Sequence, residues 1–224
     1  MEKTKTSISG KTAVVTGASR GIGYATALEL GKRGAHVIAI ARTIGGLEEL
    51  DDEIKKAGGT ATLVPLDITD TKALQALGPS LLSRFPKIDI VIGAAGYLDK
   101  LTPVAQGPLE QWTRALATNA TANITLIQTL HPLLKQSENP TAIFLTENND
   151  NIGRAFFGFY GASKAALEAL VTSYAAENPG INISLYAPSP TETRLREEAF
   201  PGGNKNQLQN TETVAKEILK KLVD

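Results

Sequence analysis

Short apolar runs alternate along this chain with longer stretches whose apolar positions are spaced. The runs 12–16, 36–40, 60–66, 88–93, 141–146 and 181–186 carry few polar interruptions. A strand buried on both faces needs such a run, so they predict parallel strands rather than half-exposed hairpins. Between them the spacing turns helical, as at Tyr24, Ala27, Leu28 and Leu30. Helices are predicted over about 21–33, 45–57, 70–84, 108–134 and 158–178, with a last one at 211–222. Thr69–Asp70 and Thr211 read as amino-terminal caps, and Gly58–Gly59 and Gly180 as stops. Strict alternation of strand and helix predicts the α/β class, a doubly wound parallel sheet between two helix layers with right-handed crossovers. Ligands of such sheets sit outside the carboxyl ends of the strands, where the strand order reverses.

The turn after the first strand carries the clearest chemistry. Residues 16–23 read Thr-Gly-Ala-Ser-Arg-Gly-Ile-Gly. Gly17 permits a sharp exit from the strand, Gly21 a close approach of backbone to a pyrophosphate, and Gly23 close packing of the helix on the sheet. The free N–H groups at the helix start then face the phosphates. The spacing, G-x-x-x-G-x-G, suits a tight turn as well as a nucleotide cradle, and its place after strand one favours the cradle. Far along the chain, Tyr160 and Lys164 are four apart at the start of a helix and share a face. An ammonium beside a phenol lowers its pKa and makes a proton donor for carbonyl chemistry. In isolation the same pair is a common exposed helix pattern.

Composition narrows the classes. With 224 residues the chain is long enough for one α/β domain, 1–224, with a full core. Its 23 basic and 23 acidic residues give no electrostatic case for nucleic acid or an anionic membrane. No cysteine is present, which excludes disulfides and thiolate chemistry and suits a reducing cytosol. Met1 to Ser7 is too polar for a signal peptide and no apolar run spans a bilayer, so a cytoplasmic protein is expected. The glycosylation-type triplets at Asn119, Asn123 and Asn182 are then chance matches. His36 and His131 lack ligand-spaced neighbours, and no metal is expected.

The glycine motif, the Tyr-x-x-x-Lys motif and the strand–helix succession together resemble the short-chain dehydrogenase/reductase family, from about Ile8 to Ala199 and again over 211–222. The resemblance implies a Rossmann-type sheet and hydride transfer between a nicotinamide cofactor and a small-molecule carbonyl or alcohol. It implies Tyr160 as general acid, Lys164 as the group that tunes it and binds the nicotinamide ribose, and Asn119, preceded by Trp112, as the holder of a relay water. Gly17, Ser19, Arg20, Gly21, Ile22 and Gly23 would cradle the phosphates. Asp67 and Ile68 would flank adenine, Ala94, Ala95 and Gly96 would contact the cofactor by backbone, and Pro188, Thr191 and Thr193 would cradle the carboxamide. Asp67 alone could also cap the following helix, and Asn119 could be a surface residue. An acidic residue after strand two would favour NAD; Ala41–Arg42 stands there instead, and with Arg20 it suits the 2′-phosphate of NADP.

Several positions depart from the family pattern. Thirteen residues before its tyrosine the family usually has a Ser that donates to the substrate oxygen; here it is Glu147. An ionised carboxylate cannot donate and raises the pKa of a neighbouring phenol. Protonation, pairing with Lys164 or Arg154, or a shift bringing Thr146 or Asn148 into place are the possible remedies. Gly93-Ala94-Ala95-Gly96 lacks the usual side-chain amides, and Ser189 replaces a glycine that, if held at positive φ, would leave Ser strained. The ending Leu219–Asp224 leaves out the family's seventh strand, so six strands are expected. Ala115, Ala120, Ala122, Ala162, Ala165, Ala166 and Ala169 suit a homodimer through helices 108–134 and 158–178, or packing on the chain's own sheet. Phe156, Phe157 and Phe159 fit an apolar substrate pocket, an interface or the core. The alternative to an enzyme is a catalytically impaired NADP-binding scaffold.

Overall fold

The computed structural model describes residues 7–148 and 151–223; the polar amino-terminal segment up to Thr6 lies outside them. Six strands form one parallel sheet in the order β3-β2-β1-β4-β5-β6: β1 Thr12–Thr16, β2 His36–Ala41, β3 Thr60–Pro65, β4 Ile90–Gly93, β5 Thr141–Leu145 and β6 Asn182–Tyr186. The helices are α1 Gly21–Lys32, α2 Ile44–Lys56, α3 Thr71–Leu82, α4 Leu109–Leu116, α5 Ala122–Leu134, α6 Gly158–Glu177, α7 Arg194–Ala199 and α8 Thr211–Val223. Strand residues alternate between two cores. Ala13, Val15, Val37, Ala39 and Ile92 face Leu30 of α1, Leu50 and Ile54 of α2, and Ile218 and Leu222 of α8. Val14, Ile38, Val91, Ala142 and Phe144 face Leu74 of α3, Leu126 and Leu130 of α5, and Leu167 and Val171 of α6. This is the doubly wound parallel sheet expected from the alternating pattern, in the Rossmann-type form that the resemblance implies.

Element ends correct several expectations. Asp70 caps α3 by accepting from the Ala73 N–H at 3.0 Å. At α8 the cap is Asn210, whose Oδ1 accepts from Thr213 N–H at 2.8 Å, and Thr211 is already helical. Gly58 takes the left-handed conformation after α2, at φ 81°. At the end of α6 the closing residue is Asn178, donating to the Tyr174 carbonyl at 2.9 Å, so Gly180 is not the stop. β3 is an edge strand, with Thr60 and Pro65 exposed. The helix predicted over 108–134 is interrupted by a π turn at Ala117–Thr121. Just after it the Asn123 side chain donates back to the Asn119 carbonyl at 2.9 Å. Ala115, Ala120 and Ala122 are buried within the chain, whereas Ala162 and Ala169 of α6 are exposed. No helix among the described residues is long and apolar enough to cross a membrane.

Candidate active site

The sheet order reverses between β1 and β4, and the loops leaving the carboxyl ends of the strands open there into a cleft of about 690 Å³. Gly17 leaves β1 at φ 68°, and a Cβ there would come within 2.9 Å of the Ala95 backbone. The glycine thus fits both the turn and the close approach of the β4 loop. A side chain at Gly23 would overlap the Gly17 carbonyl, so that glycine seats α1 against the turn. The amino-terminal turn of α1 has no side-chain cap, and Arg20 holds the cap position with extended backbone and an exposed side chain. Its N–H groups are therefore available to an anion.

Ser19, Ile22, Arg42, Asp67, Ile68, Ala94, Ala95, Gly96, Glu147, Tyr160, Lys164, Pro188, Thr191 and Thr193 all line the same cleft. Arg42 lies 3.7 Å from Asp67 in an exposed pair of the weak surface kind. Asp67 does not cap α3; it accepts from the N–H and hydroxyl of Thr69 at 2.9 and 2.7 Å. The backbone of the β4 loop is held from below, for Ala94 N–H and Ala95 N–H both donate to Thr16 Oγ1, at 3.1 and 3.2 Å. Ser189 is not strained: among the described residues Phe156 is the non-glycine at positive φ. The Thr193 hydroxyl oxygen caps α7 from Arg196 N–H at 3.2 Å.

Asn119 lies beneath the cleft, fully buried, and is no surface residue. Its Oδ1 accepts from Tyr97 N–H and its Nδ2 donates to the Tyr97 carbonyl, both at 2.8 Å, and to Ser163 Oγ at 2.9 Å. It pins the segment after β4 to α6. Lys164 is buried, and its Nζ donates to the Leu145 carbonyl at 2.9 Å. Burial lowers its pKa to about 8, against the opposing pull of Glu147 and Glu168.

At the end of β5 the strand alternation decides which side chain faces Tyr160. Thr146 turns towards α6 and donates to Glu168 at 2.6 Å, so it is not the substitute donor. Glu147 turns into the cleft, and the Tyr160 hydroxyl donates to its Oε2 at 3.1 Å. Its Oε1 accepts from Asn148 N–H and Asn151 Nδ2, both at 2.9 Å. Arg154 donates to Asn151 Oδ1 at 3.1 Å, reaching Glu147 through Asn151. Burial, with the Glu147 carboxylate beside it, raises the Tyr160 pKa well above 10. The phenol is therefore not lowered by Lys164 as its spacing implied. Phe157 and Phe200 line the cleft; Phe156 is exposed, and Phe159 packs on Trp112 at 6.0 Å between ring centres.

Residues 11–203 match the short chain dehydrogenase family. The chain is a member of that family. An uncharacterized oxidoreductase of Escherichia coli K12, YciK, is 29% identical over 200 residues, covering 88% of this chain and 79% of YciK. A short chain dehydrogenase from Shigella flexneri 2a complexed with NADP has a TM-score of 0.92 at 27% identity, over 99% of this chain and 94% of that one. Another from Escherichia coli CFT073 complexed with NADPH has a TM-score of 0.91 at 27% identity, again over 99% and 94%.

Other residues in and behind the cleft of this short-chain dehydrogenase carried little signal in the sequence. Thr16 acts on residues 78 and 79 positions away, which no local pattern reveals. Gly46 looks like a helix glycine, yet a Cβ there would lie 2.6 Å from the Ser19 carbonyl, so its absence lets α2 approach the glycine loop. Arg114 stacks over the Tyr97 ring at 4.4 Å, and Asn151 anchors Glu147. Ser163 sits inside the Tyr-x-x-x-Lys motif and could have been suspected from its place.

Proposed function

We propose that this short-chain dehydrogenase is an NADP(H)-dependent oxidoreductase acting on a small-molecule carbonyl or alcohol. The observation that carries the reading is that the glycine loop, Lys164 and the Tyr160 hydroxyl open into one cleft. The residues fit a dinucleotide, because the uncapped α1 terminus and the closely packed glycines leave a cradle for phosphate. When bound, the nicotinamide supplies or accepts the hydride. Arg20 and Arg42 receive the 2′-phosphate, and Arg42 exchanges its weak Asp67 contact for it. Asp67 and Ile68 flank adenine, and Pro188, Thr191 and Thr193 hold the far end.

The Tyr160 hydroxyl, kept protonated by its raised pKa, donates to the reacting oxygen. Lys164 has ammonium hydrogens beyond the one given to Leu145 for a ribose hydroxyl, and it offsets charge developing on Tyr160. Asn119 positions Tyr97 and Ser163 and supports a relay water. Glu147 competes with the reacting oxygen for the Tyr160 hydrogen. A scaffold without turnover is not favoured, since the relatives are oxidoreductases and the Tyr160–Lys164–Asn119 set is complete. A homodimer through α6 would use the exposed Ala162 and Ala169.

Titration with NADPH and NADH, followed by nicotinamide fluorescence, tests the cradle without a substrate. NADPH should bind at least about tenfold more tightly, a difference of about 1.4 kcal/mol, and Arg42→Ala should erase most of it. Binding of neither nucleotide overturns the reading. Tyr160→Phe should abolish carbonyl turnover and leave NADPH affinity unchanged; unchanged turnover would remove Tyr160 from its role.

A further inference from the structure

The reacting end of the cleft has a chemistry of its own. Two donors of the same loop, Asn148 N–H and Asn151 Nδ2, hold the Glu147 carboxylate by Oε1 and leave Oε2 turned to the cleft against Tyr160. Three cations of the chain stand near it: Arg154 is engaged by Asn151 and stacks on Phe157 at 5.4 Å without lining the cleft, Arg196 of the cleft wall lies over the Phe200 ring at 4.8 Å, and Lys164 gives a hydrogen to the Leu145 carbonyl. Beside the carboxylate stand aromatic rings, Phe157 being 5.8 Å from Phe200 and 6.4 Å from Tyr160 between centres. Both phenylalanine rings already meet a guanidinium group, so it is the fixed carboxylate that complements an ammonium ion, and it opposes a lone carbonyl oxygen. A neutral ketone would meet a repulsive charge and find the Tyr160 hydrogen already engaged. An ammonium one carbon away would neutralise Glu147 and free that hydrogen for the reacting oxygen.

We propose that the substrate carries a protonated amine on the carbon next to the carbonyl or alcohol carbon, its ammonium received by the Glu147 carboxylate. The proposal rests on the hydride-transfer reading above. It makes the glutamate a specificity-determining residue, and recognition of the cation relieves the hold of Glu147 on Tyr160.

Two probe pairs that differ only by the amine test it: 2-amino-1-phenylethanol against 1-phenylethanol, and 2-amino-1-phenylethanone against acetophenone. Each is titrated by calorimetry into the full chain near pH 7, with and without NADP+. The amino compounds should bind at least about tenfold more tightly than their partners. Glu147→Gln should bring each pair within about twofold, and Glu147→Ser, which places there the residue the family usually has, should do the same. Unchanged melting and NADP+ affinity show that the variants are folded. No advantage in the wild type, binding of no probe, or an advantage that survives Glu147→Gln overturns the proposal. Loss of NADP+ binding with the amine preference intact would instead remove the hydride-transfer reading and leave the ammonium site standing.

Discussion

Lys164 and Tyr160 show how far single residues could be read. Their spacing put them on one helix face, and the structure brings both into the cleft. The pair alone implied a lowered Tyr160 pKa; the rise was legible only through Glu147 at the position of the family's Ser, and burial adds to it. Lys164 also makes a testable stability claim. Unfolded, it holds its proton to about 10.5; folded, only to about 8. Below pH 8 the full burden of burying the ammonium is present. Between the two values the unfolded chain binds more protons, so stability rises with pH, by at most ~3 kcal/mol. Lys164→Met removes this dependence and adds a constant loss of about 1 kcal/mol for the Leu145 carbonyl. Urea unfolding at several pH values from 7 to 10 should show wild type gaining on the variant as pH rises. Tyr160 acts the other way only above about pH 10, since a raised phenol pKa loses stability as the unfolded chain ionises. A pH-independent difference between the two proteins would mean that no ammonium is buried there.

At the level of elements, periodicity located every strand and all the long helices, because burial on two cores imposes it. It missed the π turn at Ala117–Thr121, for a slip of hydrogen bonding by one residue leaves the apolar pattern almost intact. It also could not separate two neighbouring glycines. Gly45 and Gly46 look alike in the first turn of α2. A Cβ at Gly45 meets nothing within 4 Å, whereas one at Gly46 would press on the Ser19 carbonyl at 2.6 Å. Gly45→Ala should therefore raise stability by some tenths to about 1 kcal/mol through helix propensity, with nucleotide affinity unchanged. Gly46→Ala should cost about 1–3 kcal/mol and weaken NADPH binding, because α2 and the glycine loop must move apart. Melting curves and fluorescence titrations of the two variants check this. Equal behaviour of both would show that the contact of α2 with the loop is loose.

For the molecule as a whole, the class and the strand number were legible, since strict alternation with right-handed crossovers leaves few topologies. The walls of the cleft were legible only where a motif marks them. Thr16 and Gly46, behind the cleft, act across distances along the chain that local patterns do not encode. That convergence has a thermodynamic consequence. The cleft gathers the loops that leave all six strands, so a dinucleotide in it ties together segments that otherwise meet through the sheet. A ligand that binds only the folded state at a hundred times its dissociation constant adds ~2.7 kcal/mol. For a chain of this size that is a rise in melting temperature of roughly 5–10 °C. NADH at the same concentration should give a smaller rise, and Arg42→Ala should bring the NADPH shift down towards it, because the 2′-phosphate then loses a guanidinium partner. Equal shifts for the two nucleotides in the wild type would break the assignment of Arg20 and Arg42 while leaving the cradle itself in place, since the glycine loop and the α1 terminus address only the phosphates the two cofactors share.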